Sequence, residues 1–345
     1  MKSQIAAVVS GLSRREFVGG LAAASCIALT NSAVFAQKPK PNSVIGGVQI
    51  GVITYSFRSM PDQSAEALLA YCVECGINAV ELMGDPAELF AGIPVNANAA
   101  RYWNLRTREF MANPPPMTAA DEKERAEVLA AQADYQKQAA AWRAKASMEK
   151  FVQLKKLYND AGVSIYGFKP AVFEKSSTDA EIDYGIRAAK ALGATHVTVE
   201  LPDAAQTTRL GAAALKHGIT IGYHQHLQAT PTLWDPALAQ SKGNGINLDL
   251  GHYTAAGNFD GVAFMRTHHE RITSMHLKDR RNKANGQANL PWGMGDTPIV
   301  AALKLIRDQK YRFPVTIELE YDIPAGSNAV REVGKCLEYC RKALG

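Results

Sequence analysis

Two histidines, His224 and His226, stand two residues apart in the segment GYHQHL. Side chains on a β-strand alternate between its two faces, so both imidazoles share a face if this segment is a strand. Imidazole is the commonest metal ligand among side chains and also exchanges protons near neutral pH. The pair therefore predicts a metal site, an acid–base site, or both.

Ionisable side chains also follow six further apolar, β-branched runs. They are Glu81, Lys169, Glu200, Asp249, His252, His276, Lys278, Glu318 and Glu320. Burying one such group without a partner costs several kcal/mol, so this many together indicate a shared charge partner, and a divalent metal is the simplest candidate. For Glu81, Lys169 and Glu200, taken singly, a purely structural ion pair is an equal alternative.

The strands that must position these residues are predicted at 48–57, 78–84, 163–170, 196–202, 219–226, 245–252, 272–279 and 314–321. Helical patterns follow them, one opening with a capping box formed by Thr178 and Glu181. Near-continuous apolar strands that alternate with amphipathic helices predict a parallel sheet covered on its outer face.

Eight such repeats in about 300 residues predict an α/β fold, a (β/α)8 TIM barrel over residues 45–345. In this fold the carboxyl ends of the strands meet at one face, where the ionisable residues would converge. A doubly wound open sheet is the alternative, weakened because no Gly-rich phosphate loop follows the first strand.

The connection between the second and third strands is oversized. Residues 85–147 contain a Pro-rich stretch and a charged, Ala-rich helical run, which predict a helical insertion at the active face. This insertion is either a lid carrying Tyr102, Trp103 or Trp142, or an arm that joins a homo-oligomer.

The N-terminus resembles an export signal. Arg14 and Arg15 precede an apolar run that reaches Ala36, so we expect residues 1–36 to be a cleaved twin-arginine signal peptide and the mature chain to be periplasmic or secreted, without stable membrane insertion. A retained membrane anchor is the alternative. The formal charge of +5 gives no electrostatic footprint for nucleic acid.

Four cysteines remain after such cleavage, Cys72 and Cys75 in the first barrel helix and Cys336 and Cys340 in the last. The first and last helices of a closed barrel are neighbours. The cysteines therefore either form disulfides in an oxidising compartment or stay buried as free thiols.

The segments GYHQHL, LDLGHYTAAG, SMHLKDR and IELEY, in this order, resemble the xylose-isomerase-like TIM-barrel superfamily, among its exported sugar isomerase/epimerase-type members. The resemblance covers roughly residues 45–343. It implies one divalent metal bound by Asp249, His276 and Glu318, with His224 where many epimerases have a glutamate. A set of two nitrogens and two carboxylates suits Mn²⁺, Zn²⁺, Co²⁺ or Fe²⁺ better than Mg²⁺.

The resemblance also implies an isomerase or epimerase that removes the proton α to a sugar carbonyl through a metal-stabilised enediolate. The catalytic groups are then His226, Glu200, Glu318 and Lys278, and the substrate contacts are His252, Glu81, Lys169, Glu320 and Trp292. The expected partner is a free sugar, keto-sugar or glycoside.

Three other functions share parts of this pattern. A lyase or hydratase acting on keto-sugars or 3-keto-glycosides would begin with the same proton removal. A sugar-binding barrel without activity would keep the fold but need no metal. AP endonucleases of the superfamily need histidines on the second and third strands, where this chain has Glu81 and Lys169.

Overall fold

The computed structural model of the chain describes residues 40–109, 116–174 and 176–345. The expected signal peptide, residues 1–36, lies outside the described residues. None of the described helices combines the length and the apolar character needed to cross a membrane.

The sheet is a closed barrel of eight parallel strands. Each strand pairs with the next along the chain, and the eighth pairs with the first, which confirms the predicted TIM barrel. The strands are β1 (Val48–Ile53), β2 (Ala79–Met83), β3 (Ser164–Lys169), β4 (His196–Glu200), β5 (Thr220–His224), β6 (Asn244–Asp249), β7 (Ile272–Leu277) and β8 (Val315–Ile317).

Helices cover the outside of the barrel. In the described residues they are α1 (Ala65–Glu74), α2 (Gly84–Ala91), α3 (Ala99–Glu109), α4 (Ala119–Arg143), α5 (Glu149–Asp160), α6 (Asp179–Leu192), α7 (Ala204–His217), α8 (Asp235–Gln240), α9 (Leu250–Ala255), α10 (Gly261–His268), α11 (Ile299–Gln309) and α12 (Ala329–Leu344). The predicted capping box is present: the Thr178 hydroxyl accepts from the Glu181 amide and the Glu181 carboxylate accepts from Thr178 at the start of α6.

The barrel interior contains glycines that leave room for large polar side chains. A Cβ atom on Gly51 would lie 2.5 Å from the Tyr166 ring, and one on Gly167 would lie 3.0 Å from His196 Nε2 and 3.2 Å from Glu81 Cγ. The absence of a side chain at these two positions therefore lets Tyr166, His196 and Glu81 occupy the interior.

The insertion between β2 and β3 comprises α2, α3 and α4, and its end is fixed to its beginning by a buried ion pair. Arg143 donates to both carboxylate oxygens of Glu88, at 2.8 and 2.7 Å, and both side chains are buried. Trp142 packs edge-on against Tyr184 of α6 at 6.1 Å. The lid and oligomer roles of this segment stay predictions.

All four cysteines in the described part of the chain are free thiols. Cys72, Cys336 and Cys340 are buried, and burial raises the pKa of Cys336 to about 12. The helices that carry the cysteines, α1 and α12, do pack against each other. The structure therefore corresponds to the buried-thiol alternative.

The two ends of the barrel domain meet at its N-terminal face. A two-residue strand, Val44–Ile45, pairs antiparallel with the beginning of β1. Arg341 of the last helix donates to the Asn42 carbonyl at 3.0 Å, and Arg307 of α11 donates to the Leu344 carbonyl at 3.1 Å. The strand ends that carry the ionisable residues lie at the opposite face.

Candidate metal centre

Four buried side chains from four neighbouring strand ends come together at the carboxyl face of the barrel. His224 ends β5, Asp249 ends β6, His276 lies near the end of β7, and Glu318 follows β8. Each offers one ligand atom, and these atoms all lie within 4.8 Å of one another. These are the four residues that the sequence predicts as metal ligands, and we call them the metal cluster.

The two carboxylate oxygens of Asp249 have different neighbours. Asp249 Oδ1 accepts from the His252 amide at 2.7 Å, because Asp249 caps the N-terminus of α9. Asp249 Oδ2 is buried, lies 2.9 Å from Lys278 Nζ, and is 3.9 Å from His224 Nε2. A buried carboxylate oxygen in this state favours a cation beside it.

His276 lies between two carboxylates. Its Nδ1 is 2.8 Å from Glu318 Oε2 and its Nε2 is 2.9 Å from Glu81 Oε2. Burial alone would lower the pKa of His276, but the charges of Glu81 and Glu318 raise it to about 10. Glu81 is fully buried, and its contact with His276 is of the kind by which outer carboxylates orient metal-bound histidines. Its predicted contact with substrate stays a prediction.

His224 is held from its far side by an amide. Its Nδ1 lies 2.7 Å from Asn247 Oδ1, and Asn247 in turn donates to Ser274 Oγ at 2.7 Å. All three side chains are buried. Burial lowers the pKa of His224 to about 4, so the ring is neutral at neutral pH.

Gln225, which separates the two histidines in sequence, clamps the end of β6. Its amide nitrogen donates to the Asp249 carbonyl at 2.6 Å, and its amide oxygen accepts from the Asp249 backbone at 3.0 Å. Regular pairing between β5 and β6 ends at His224 and Asn247, and the Gln225 side chain extends the hydrogen bonding beyond that point. β5 ends at His224, and beyond it the Gln225 side chain faces β6 while the His224 and His226 rings lie 5.1 Å apart.

Lys278 carries positive charge into the metal cluster. Its Nζ is 2.9 Å from Asp249 Oδ2, from Glu318 Oε2 and from Glu320 Oε2. Burial opposes the charged form, but these three carboxylates raise the pKa of Lys278 well above its usual value. The predicted catalytic lysine is therefore a buried ammonium that balances carboxylate charge.

His252 faces two cations, with Nε2 3.1 Å from Lys278 Nζ and Nδ1 2.5 Å from Arg280 Nη1. Burial, followed by the charge of Lys278, lowers the pKa of His252 to about 2. This imidazole is therefore neutral at neutral pH. His252 lies beside the metal cluster, and its predicted contact with substrate stays a prediction.

An exposed acid–base pair stands at the rim of the metal cluster. His226 Nε2 lies 3.0 Å from Glu200 Oε2, and Lys169 donates to Glu200 Oε1 at 2.7 Å. The His226 side chain is 54% exposed, in contrast to the buried His224. The hydrogen bond to Glu200 raises the pKa of His226. The His226 and His252 rings stack at 4.6 Å.

The residues fit a divalent metal. Two imidazoles and two carboxylates converge, and the far nitrogen of each imidazole has a buried partner, Asn247 or Glu81. A second group of three imidazoles, His224, His226 and His252, also lies within 4.8 Å but shares His224 with the metal cluster. The four-residue group is the better candidate because it includes both carboxylates that a cation would neutralise.

Trp292, a predicted substrate contact, packs edge-on against Tyr339 of α12 at 5.9 Å. Its loop is held by Asp279, whose carboxylate accepts from the amides of Gly293 and Gly295 at 2.7 and 2.9 Å. The substrate role of Trp292 stays a prediction.

Comparison with solved structures shows the same fold at low identity. A xylose isomerase domain protein from Planctomyces limnophilus is 15% identical, with a TM-score of 0.56 over 86% of this chain and 98% of that one. The probable 3-DHS dehydratase from Bacillus anthracis is 14% identical, with a TM-score of 0.54 over 84% and 98% of the two chains. D-Allulose 3-epimerase from Methylomonas sp. is 14% identical, with a TM-score of 0.51 over 89% and 99%.

No curated protein matches the chain. The family model described as "Xylose isomerase-like TIM barrel" matches residues 127–342, which is more than half of the chain and includes all four residues of the metal cluster. The chain therefore belongs to the xylose isomerase-like TIM barrel family.

Proposed function

We propose that this protein is a metal-dependent isomerase or epimerase that removes the proton α to a sugar carbonyl. The observation that carries the proposal is the metal cluster: His224, Asp249, His276 and Glu318 are buried with their ligand atoms within 4.8 Å of one another. A divalent metal bound there would polarise a substrate carbonyl and make the adjacent C–H bond more acidic. Mn²⁺, Zn²⁺, Co²⁺ or Fe²⁺ suits this donor set better than Mg²⁺.

The protein groups that would move the proton are His226 and Glu200. They are the most exposed ionisable side chains of the site, and their 3.0 Å contact lets one hold the proton while the other stabilises the charge. Lys169 on the far side of Glu200 keeps that carboxylate ionised. Glu318 Oε2 forms ion pairs with Lys278 and His276. Glu318 would serve as a metal ligand and, as the sequence predicts, as a further base.

A lyase or hydratase acting on keto-sugars or 3-keto-glycosides is the second candidate. His226 and Glu200 come from the adjoining strands β4 and β5, on one side of the metal cluster. One proton-transfer pair on one side suits loss of an α proton followed by departure of a β substituent, since an epimerase returns the proton from the opposite face. The solved relatives with this fold include both an epimerase and a probable dehydratase.

We further propose that the protein acts outside the cytoplasm, after removal of residues 1–36. The support is the sequence alone, with Arg14 and Arg15 before an apolar run. Replacing both arginines by lysine should retain the precursor in the cytoplasm. The measurement is the mass of the chain recovered from each cell fraction, and a full-length chain outside the cytoplasm would contradict cleavage.

The test of the chemistry is deuterium exchange by NMR on a panel of sugars and 3-keto-glycosides in D₂O, with each metal added and then chelated. We expect exchange at one carbon position, lost on chelation. Retention of the sugar skeleton with inversion at the α carbon would assign an epimerase, and retention with the carbonyl shifted to that carbon would assign an isomerase. Release of the aglycone or of water would assign a lyase.

Asp249→Asn is the informative variant, because it removes one charge of the metal cluster and should abolish both metal binding and exchange. Asp308→Asn, on the exposed surface of α11, is the matched control. A wild-type protein that binds no metal and exchanges no proton, yet binds sugar, would replace the enzyme proposal with a sugar-binding barrel.

A further inference from the structure

We infer that Asn247 and Ser274 form a positioning pair that sets the tautomer of His224 and directs its unprotonated Nε2 into the metal cluster. The purpose of this arrangement rests on the metal function proposed above. The hydrogen bonds from which it is inferred do not depend on that function.

The argument begins with the orientation of one amide. In the structure the Asn247 amide nitrogen donates to Ser274 Oγ at 2.7 Å, and the amide oxygen therefore faces the other way, towards His224. That oxygen lies 2.7 Å from His224 Nδ1. An amide oxygen only accepts, so Nδ1 carries the proton, and a neutral imidazole then has its lone pair on Nε2.

Asn247 and Ser274 lie where they can determine which nitrogen of His224 is available to a metal. Asn247 lies on β6 two residues before Asp249, and Ser274 lies on β7 two residues before His276, so both side chains occupy the level of the barrel directly below the metal cluster. Both are fully buried, and no solvent competes for the His224 Nδ1 proton. His224 Nε2 is left on the side of Asp249 Oδ2, which lies 3.9 Å away and belongs to the metal cluster.

Two substitutions of similar size separate tautomer control from packing. Asn247→Asp keeps an acceptor at His224 Nδ1, whereas Asn247→Leu leaves Nδ1 with nothing to bond and allows the proton to move to Nε2. Loss of an outer partner of a metal-bound histidine typically weakens metal binding about 10–100-fold. We expect that loss in Asn247→Leu, and binding within a few-fold of wild type in Asn247→Asp.

The experiment combines a tautomer measurement with a metal titration. Long-range ¹H–¹⁵N correlation spectra of the metal-free, ¹⁵N-histidine-labelled protein should show His224 protonated on Nδ1 in wild type and in Asn247→Asp. Titration with Zn²⁺ against a competing chelator gives the affinity of each variant, and Asn285→Leu on the exposed surface is the control. If Asn247→Leu does not fold, the smaller change Ser274→Ala replaces it in the experiment. Ser274→Ala should show a mixture of His224 tautomers.

The outcomes distinguish this inference from the proposed function. A wild-type protein protonated on Nε2 in the metal-free state would mean that the Asn247 amide is reversed, and the inference would be overturned. Equal Zn²⁺ affinities for the folded Leu and Asp variants would overturn it as well. A wild-type protein with Nδ1 protonated that binds no metal would overturn the proposed function and leave the positioning pair standing.

Discussion

At the scale of single residues, the charge balance of the metal cluster depends on Lys278. Its ammonium is 2.9 Å from Asp249 Oδ2 and from Glu318 Oε2, the oxygens that a divalent metal would also use. Lys278 and a bound metal would therefore both be stabilised by the carboxylates of Asp249 and Glu318. Because the lysine is attached to the chain, it partly neutralises the carboxylates whenever the metal is absent.

Replacing this lysine should make the folded protein depend on metal. In Lys278→Met we expect the metal-free protein to lose about 3–5 kcal/mol of stability, because buried carboxylates are left without a partner. Added Zn²⁺ should raise the melting temperature of this variant more than that of wild type. Thermal unfolding with and without chelator measures both, with Lys342→Met on the exposed face of α12 as control; equal metal-induced shifts would show that the lysine and the metal do not share charge.

Because His196 is fully buried, we expect the folded protein to become less stable in mild acid. Burial lowers its pKa to about 4, whereas in the unfolded chain it titrates near 6.5. As the pH falls, the unfolded chain therefore binds the proton before the folded protein does. The free energy of unfolding keeps the full contribution of His196 above about pH 6.5. It loses about 3 kcal/mol of that contribution as the pH falls towards 4. In His196→Gln the melting temperature should fall less steeply over that interval, and an unchanged slope would contradict the assignment.

The four residues of the metal cluster could be predicted from the sequence because their residue types are unusual at the ends of apolar strands. The roles of Glu81, Gln225 and Asn247 could not, since they depend on which neighbouring strand each side chain faces. One signal was available. Asn247 precedes Asp249 by two residues and so shares its face of β6, a polar residue where a buried strand would otherwise be apolar.

At the scale of elements, the eight predicted strands are all present, but several end earlier than the hydrophobic pattern indicates. β8 is predicted over 314–321 and pairs regularly only at Val315–Ile317. Beyond it the Leu319 amide donates to Ser56 Oγ and the Leu319 carbonyl accepts from Arg58, both in the turn after β1. These bonds join residues more than 250 positions apart, and no local pattern contains them.

The same substitution should have opposite effects in two barrel helices. A Cβ on Gly185 of α6 would lie 2.7 Å from the Phe173 ring, whereas one on Gly334 of α12 would meet nothing within 4 Å. Gly185→Ala should therefore destabilise the protein by about 1–3 kcal/mol through overpacking. Gly334→Ala should stabilise it by roughly 0.5–1 kcal/mol, since alanine favours the helix. Chemical denaturation measures both, and shifts of the same sign would contradict the packing.

At the scale of the whole molecule, a buried ion pair fixes the end of the insertion to its beginning. Glu88 and Arg143 lie at its beginning and end, 2.7 Å apart and shielded from solvent. Thr118 and Asp121 form a capping box at the start of α4, so the helix has its own start signal. The closure of this long loop therefore depends on the Glu88–Arg143 contact more than on the helix.

Breaking that contact on one side should open the insertion. Arg143→Met leaves a buried carboxylate unpaired and should cost about 3–5 kcal/mol, whereas Glu88→Gln combined with Arg143→Met should cost less than the single change. Limited proteolysis within residues 85–147 should accelerate in Arg143→Met while the barrel stays intact. A cost of the double variant equal to the sum of the costs of Glu88→Gln and Arg143→Met measured singly would show that the two side chains are not coupled.

The meeting of the first and last segments at the N-terminal face has a practical consequence. Because Arg341 reaches Asn42 directly, a short linker could join Gly345 to the start of the domain without crossing the mouth. New ends could then be opened in an exposed connection, giving a circularly permuted barrel. Such a chain would carry fusion partners or surface attachments beside the metal cluster, whereas Asn42 and Arg341 lie at the opposite face of the barrel.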